Sequence, residues 1–272
     1  MQTKLIEIPF EKWSQLRNLY QHNKNRAISY NTIQTFIDWA KKDPNLPLKI
    51  YTPSREWEVD GTYVAAAPMI KQIFCNTLKD DYNILLTALN CFDNSHMVGG
   101  TPEHLMPAVE QHFLDSGLTK DQIMPTGTCW HHITREEALK FDTDLPENIT
   151  TKGLSECHAE QVNRVWPHRT EGSVKFVKHL IKYNKSVGLF DGDKLVAWCL
   201  LLPLGSLGLL QVEESHRRIG LGKLAVKLMS KYLAENGVDI TASVVFANVP
   251  SRSMFKQLGF TIIDNVYWTS KK

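Results

Sequence analysis

The chain has 272 residues, 43% apolar and 22% charged, with 31 Lys plus Arg against 29 Asp plus Glu. At about 100–200 residues per domain, that length makes one large or two modest domains with substantial cores, and the composition excludes disorder, collagen and rod-like coiled coils. A formal charge of +2 provides no global field for nucleic acid or an anionic membrane, so any basic site is local.

The N-terminal stretch Met1 to Trp13 carries Lys4, Glu7 and Glu11 and has no apolar signal-peptide core, so no secretion is expected. Leu5–Ile8 reads as a strand, Glu11–Gln21 and Thr32–Lys42 as helices, and Leu48–Tyr51, Thr62–Ala67 and Ile70–Leu78 as strands. Helices follow at Asp80–Phe92 and at Pro102–Asp115, with Thr101 as N-cap and Pro102 in the first helical position. A strand at Ile123–Ile133 leads to Phe141–Asn148, whose Asp-Leu-Pro-Glu-Asn has linker character. Two domains are therefore expected, 1–145 and 149–272.

The second half alternates more cleanly. A strand at Ile149–Lys152 precedes helices Ser155–Trp166 and Ser173–Tyr183, and strands Ser186–Phe190 and Lys194–Leu202 join across Asp191-Gly192-Asp193, a hairpin signal. Leu195 to Val212 is uncharged for 18 residues, the threshold for a membrane span, yet Pro203, Gly205, Ser206 and Gly208 divide it into strand-length pieces. Beyond it lie a basic glycine-containing loop, a helix from about Gly220 to Glu235, a strand at Ile240–Phe246, a helix at Pro250–Leu258 and a strand at Phe260–Thr269. The five cysteines, Cys75, Cys91, Cys129, Cys157 and Cys199, form no CxxC pair and no zinc-type spacing with histidine. Such an odd, sparse set fits reduced thiols in the cytoplasm or another reducing compartment, and no metal site is expected.

The chemistry concentrates after the strand Leu207–Val212. From Gly222 onward, Leu224, Ala225, Leu228, Met229, Tyr232 and Leu233 continue from Leu221 at helical spacing, so one face of this helix is apolar. The loop entering it contains Arg217, Arg218, Gly220, Gly222 and Lys223, and His216 to Lys231 includes five Lys/Arg and no acid. A strand, a basic glycine loop and a helix N-terminus make a phosphate cradle, because first-turn amides have no intrahelical acceptor. The Walker A pattern is absent and the dinucleotide fingerprint lacks its third glycine, which points to a different phosphorylated ligand.

Arg217-Arg-Ile-Gly-Leu-Gly222 resembles the Gln/Arg-x-x-Gly-x-Gly/Ala loop of the GNAT-type N-acyltransferases, and Asn248 through Leu258-Gly259-Phe260 is similar to that superfamily's last motif. His158 to Trp166 and the hairpin Val187–Leu202 look like the acceptor-side helix and central strands of the glycine N-acyltransferase branch. The resemblance covers roughly residues 149–272. It implies an α/β (α+β) chain whose C-terminal half is a GNAT fold with a mixed, mainly antiparallel sheet splayed at its centre, preceded by a degenerate GNAT-like α/β domain.

The resemblance also implies site residues. Backbone amides of Gln211 and Val212 would pair with the pantetheine arm of coenzyme A, those of Arg218, Ile219, Gly220, Leu221, Gly222 and Lys223 would hold its pyrophosphate beside Arg217, and Asn248 and Ser253 would flank the ligand. Amine acylation needs a proton acceptor and an oxyanion donor. Glu213 and Glu214 follow the central strand, and since adjacent strand residues face opposite ways only one of them enters the cleft. Glu213 is the expected base and Val212 N–H the expected oxyanion donor. Two positions depart from the family pattern: Ser215 stands where a glutamate is common, and Phe255 where many members have a tyrosine acid. The implied activity is transfer of an acyl group from acetyl- or longer acyl-coenzyme A to a small-molecule amine such as glycine or another amino acid. A non-catalytic acyl-coenzyme A binder or sensor and a protein N-acetyltransferase are the alternatives; neither nucleic acid nor membrane is an expected partner, and the sequence does not fix oligomeric state.

Overall fold

The computed structural model describes residues 4–21 and 27–272, and the chain divides into two compact units, Met1–Cys129 with Ile263–Lys272, and Trp130–Ile262. In chain order the first unit contains β1 (Ile6–Ile8), α1 (Trp13–Asn18), α2 (Ala27–Lys42), β2 (Lys49–Thr52), α3 (Trp57–Asp60), β3 (Tyr63–Ala67), β4 (Gln72–Asn76), α4 (Asn83–Leu89), β5 (Met97–Pro102) and α5 (Met106–Asp115). Strand β6 (Ile123–Ile133) begins in this unit and ends in the next. The second unit continues with α6 (Arg135–Ala138), β7 (Ile149–Lys152), α7 (Ala159–Val165), α8 (Ser173–Tyr183), β8 (Ser186–Asp191), β9 (Lys194–Leu201), β10 (Ser206–Val212), α9 (Leu221–Glu235), β11 (Ile240–Val245) and α10 (Val249–Gln257). The last strand, β12 (Thr261–Lys271), returns to the first unit.

Each unit has a mixed, mainly antiparallel sheet. In the first the order is β1-β2-β3-β4-β5-β12, antiparallel except for the parallel pair β4–β5. In the second, β7, β8, β9 and β10 pair antiparallel and β10 pairs parallel with β11. The 18-residue uncharged stretch forms β9 and β10, and among the described residues no helix is long and apolar enough to cross a membrane. Gly192 adopts φ 56° in the turn between β8 and β9, the left-handed geometry that the Asp-Gly pair signals.

The second core packs α9 on the sheet. Leu221, Ala225, Val226, Met229 and Leu233 are buried there with Ile240, Ala242 and Val244 of β11 and Ala197 and Cys199 of β9. Full burial of a Leu or Met side chain contributes about 1.5–3 kcal/mol, which fixes how α9 is turned and seated on the sheet and hence where its N-terminus lies.

Three expectations change. Thr101 does not cap a helix: β5 runs through Pro102 and α5 starts at Met106. The reason is non-local, since Thr101, fully buried, pairs with Tyr267 of the returning β12. The helix expected over 11–21 is shortened to a 3-10 turn at Phe10–Lys12 and the six-residue α1. The linker-like segment 141–148 lies inside the second unit, which already begins at Trp130; Pro and Asp there mark a loop after α6, and α6 packs against α9.

Candidate functional site

Strand β10 is built to leave one edge open. Its pairing with β11 is confined to Ser206↔Thr241 and Leu207↔Ala242, although both strands continue. The strands part there because β10 carries a bulge: three steps from Gly208 to Gln211 oppose two steps from Leu200 to Trp198 on β9, with Leu209 at φ 46°. Below the bulge, Gln211 is in register with Trp198, and Glu213 N–H donates to Val196 O at 2.8 Å. Residues 211 and 213 therefore face β9, and Val212 between them turns its N–H and C=O to the open edge. Arg217 Nε reaches back to Val212 O at 3.4 Å. Of the two strand amides expected at a pantetheine arm, Val212 thus faces the fork and Gln211 faces β9.

A 3-10 turn at Glu214–His216 follows. His216 clips it to the β8–β9 turn, with Nε2 3.2 Å from Asp191 Oδ2 and Nδ1 2.8 Å from Ser215 Oγ. The loop then holds Arg218 at φ 67° and Gly220 at φ 91°. Left-handed residues interleaved with others turn successive N–H groups to one side, a geometry that binds anions. None of the amides of Arg218, Ile219, Gly220, Leu221, Gly222 and Lys223 has an acceptor within the described chain, whereas Arg217 N–H and Leu224 N–H are bonded to Glu214 O and Gly220 O. Six consecutive donors are therefore free, four at the start of α9 and two before it. At Gly222 an added Cβ would lie 3.4 Å from Val212 Cγ2 and 3.9 Å from Met254 Sδ, so the first turn approaches the end of β10 as closely as a side chain allows.

Glu213 is half-buried and Glu214 exposed. The Glu213 carboxylate accepts from Gln161 Nε2 of α7 at 2.7 Å through Oε1, and Arg164 Nη2 is 3.7 Å from the same oxygen. Opposite, Asn248 accepts from Ser251 N–H at 3.2 Å as N-cap of α10, while Ser253 meets Gln257 Nε2 at 3.5 Å. Lys223 Nζ donates to Gln257 Oε1 at 2.7 Å, tying the start of α9 to α10. Phe255 is buried against the rings of His131, 5.4 Å away, and Phe260, 5.0 Å away. It is a core residue. Sequence reading missed Gln161, which is 52 residues from its partner; no local spacing announces such a pair. Among the described residues no three His, Cys, Asp or Glu side chains gather as a metal site requires.

The first unit repeats the fork without the cradle. Strands β4 and β5 pair in parallel only at Gln72↔Met97 and Ile73↔Val98, but Phe74, 2% exposed, fills the space beside Gly99, where a Cβ would meet its ring at 2.9 Å. The following loop, Thr77 to Tyr82, has no glycine and contains Asp80 and Asp81. Asp81 Oδ1 accepts from Asn83 N–H at 2.9 Å, so a carboxylate occupies the helix start that a phosphate would need.

Residues 186–269, from β8 through most of β12, match the family model described as FR47-like protein. A crystal structure of a Drosophila protein aligns over 98% of both chains with TM-score 0.84 at 22% identity. A tandem GNAT protein from the clavulanic acid biosynthesis pathway aligns over 98% of both chains with TM-score 0.54 at 12% identity. A GCN5-related N-acetyltransferase-like protein from Streptococcus suis aligns over 95% of this chain and 99% of its own, with TM-score 0.53 at 11% identity. The chain has the GNAT acetyltransferase fold. No curated protein sequence matches it. In GNAT terms the second unit carries the fold with an open fork and free loop amides, and the first is a GNAT-like domain whose fork is filled.

Proposed function

We propose that the protein transfers an acyl group from coenzyme A to a small-molecule amine, glycine or another amino acid. The observation that carries this reading is the run of six free amides from Arg218 to Lys223, placed directly after a strand whose Val212 N–H faces an open edge. A pyrophosphate fits those donors: it is anionic, needs several N–H partners and meets no acid between His216 and Lys231. Arg217, Arg218 and Lys223 add positive charge, and Asn248 caps α10 and Ser253 lies on it, the helix that the Lys223–Gln257 bond ties to the start of α9.

The second half of the reading is the chemistry. Val212 N–H is the donor for the developing oxyanion, and Glu213 is the proton acceptor, with Glu214 outside in solvent. The nitrogen–carbon bond forms, the carbon–sulfur bond breaks, and the amine proton passes to Glu213 and then to water. A thiol of pKa about 8.5 leaves as thiolate without an acid, so the buried Phe255 does not block turnover. That same residue favours a second reading, a binder of acyl-coenzyme A without chemistry.

Calorimetric titration with coenzyme A and acetyl-coenzyme A, followed by thiol release in the presence of free amino acids, tests both readings. Micromolar binding, about −8 kcal/mol, and amine-dependent thiol release are expected. Binding without release on any amine selects the non-catalytic reading, and no binding by folded protein removes both.

A further inference from the structure

Gln161 directs its side-chain NH2 group to two acceptors. Nε2 donates to Leu195 O at 3.0 Å and to Glu213 Oε1 at 2.7 Å, joining α7 to the first residues of β9 and to the end of β10. The backbone behind both acceptors is fixed. Leu195 is 3% exposed, and the backbone of Glu213 is held by its bond to Val196 O. Arg164, one turn later on α7, also lies on the Oε1 side, but it is 69% exposed and 3.7 Å away. Glu213 Oε2 has no partner among the described residues.

We propose that Gln161 is a positioning residue that anchors one carboxylate oxygen of Glu213 and leaves the other free to receive the amine proton. The inference rests on the reading of Glu213 as the base. A glutamate at a strand end has several rotamers of similar energy, and a base must hold one geometry before the acceptor arrives. An amide suits this task better than a guanidinium would. It donates to one oxygen without charge, while an arginine in its place would take both oxygens in a bidentate pair and leave none for the amine. The second bond to Leu195 O prevents the amide from rotating away with the carboxylate, so the pair behaves as a rigid support.

The test is a double-mutant cycle on the full chain, with acetyl-coenzyme A as donor, glycine and the other free amino acids as acceptors, and thiol release as the readout. Gln161→Met keeps length and packing and removes the donor. It is expected to lower kcat at least about tenfold while KM for acetyl-coenzyme A stays within about twofold. In a Glu213→Gln background the same change is expected to alter kcat less than about twofold, because the group it serves is gone. Equal fold losses in both backgrounds, or an unchanged kcat in Gln161→Met, overturn the proposal and reduce Gln161 to a tether for α7. If Gln161→Met does not fold, Gln161→Asn, which keeps an amide too short to reach, takes its place with the same expectations. Wild-type protein that binds acetyl-coenzyme A in calorimetry but turns over no amine overturns the acyl-transfer reading, and the proposal with it; additive losses in an active enzyme overturn the proposal alone.

Discussion

At the scale of single residues, the loop separates two roles for glycine. Gly220 sits at φ 91° and an added Cβ would meet nothing within 4 Å, so Gly220→Ala brings backbone strain without a clash, about 1–2 kcal/mol. Urea unfolding should show that loss, and calorimetry should show weaker coenzyme A binding as the loop relaxes. Gly222→Glu differs, because its Cβ only touches Val212 and Met254 and the fold should survive with an unchanged circular dichroism spectrum. Its carboxylate would extend among the free amides, and coenzyme A affinity should fall at least about 100-fold, ~2.7 kcal/mol; full affinity in that variant removes the loop as the binding site. The loop was legible in the sequence because its information is local: glycines, basic residues and the apolar period of α9 occupy one short stretch. Which of the adjacent Glu213 and Glu214 is half-buried was not legible, since that depends on the register of β10 against β9. Gln161 was not legible, because its partner lies on another element.

At the scale of elements, the same distinction explains where the reading of secondary structure departed. The β8–β9 hairpin and α9 were fixed by short-range signals at Gly192 and at the apolar face from Leu221 to Leu233. Thr101-Pro102 carried an equally good local signal for a helix start, and β12, arriving more than 160 residues later, overrode it. The strand it completes is tightly filled. Gly99→Ala should bring a Cβ within 2.9 Å of the Phe74 ring, which is held edge-on against Phe36 at 5.9 Å, and overpacking of this kind costs about 1–3 kcal/mol. A lower urea midpoint with an unchanged slope would report it. Helix α8 carries one acid-sensitive group, and the buried His112 of α5 is shifted down by burial in the same sense. Burial, with a smaller contribution from Lys182, pushes the His179 imidazole down to about 4, against about 6.5 in an unfolded chain. Between those values the unfolded state binds more protons, so this contribution to stability is present above pH 6.5 and is lost as pH falls toward 4. Discounted for partial exposure it is on the order of 2 kcal/mol. Urea unfolding at pH 7 and pH 5 should show a smaller difference for His179→Gln than for the wild type, and equal differences would place the acid sensitivity elsewhere.

At the scale of the whole molecule, two units of one architecture have different capacities, and the difference is chemical. Both have a strand pair that parts after two register positions. In the second unit the fork opens onto free amides; in the first, Phe74 fills it, and Asp81 caps the helix that would otherwise offer its N–H groups. One coenzyme A per chain is therefore expected. Calorimetry should give a stoichiometry near one, and a second site of similar affinity would mean that Phe74 moves aside. Hydrogen exchange locates the site independently. Saturating coenzyme A should slow exchange at the amides from Arg218 to Lys223, which have no internal acceptor to protect them, and should leave Asn83, already bonded to Asp81, unchanged. Asp81→Gly frees that amide but leaves Phe74 in the fork, so it should not create a second site; a stoichiometry of two in that variant would show that the carboxylate alone had closed the first unit.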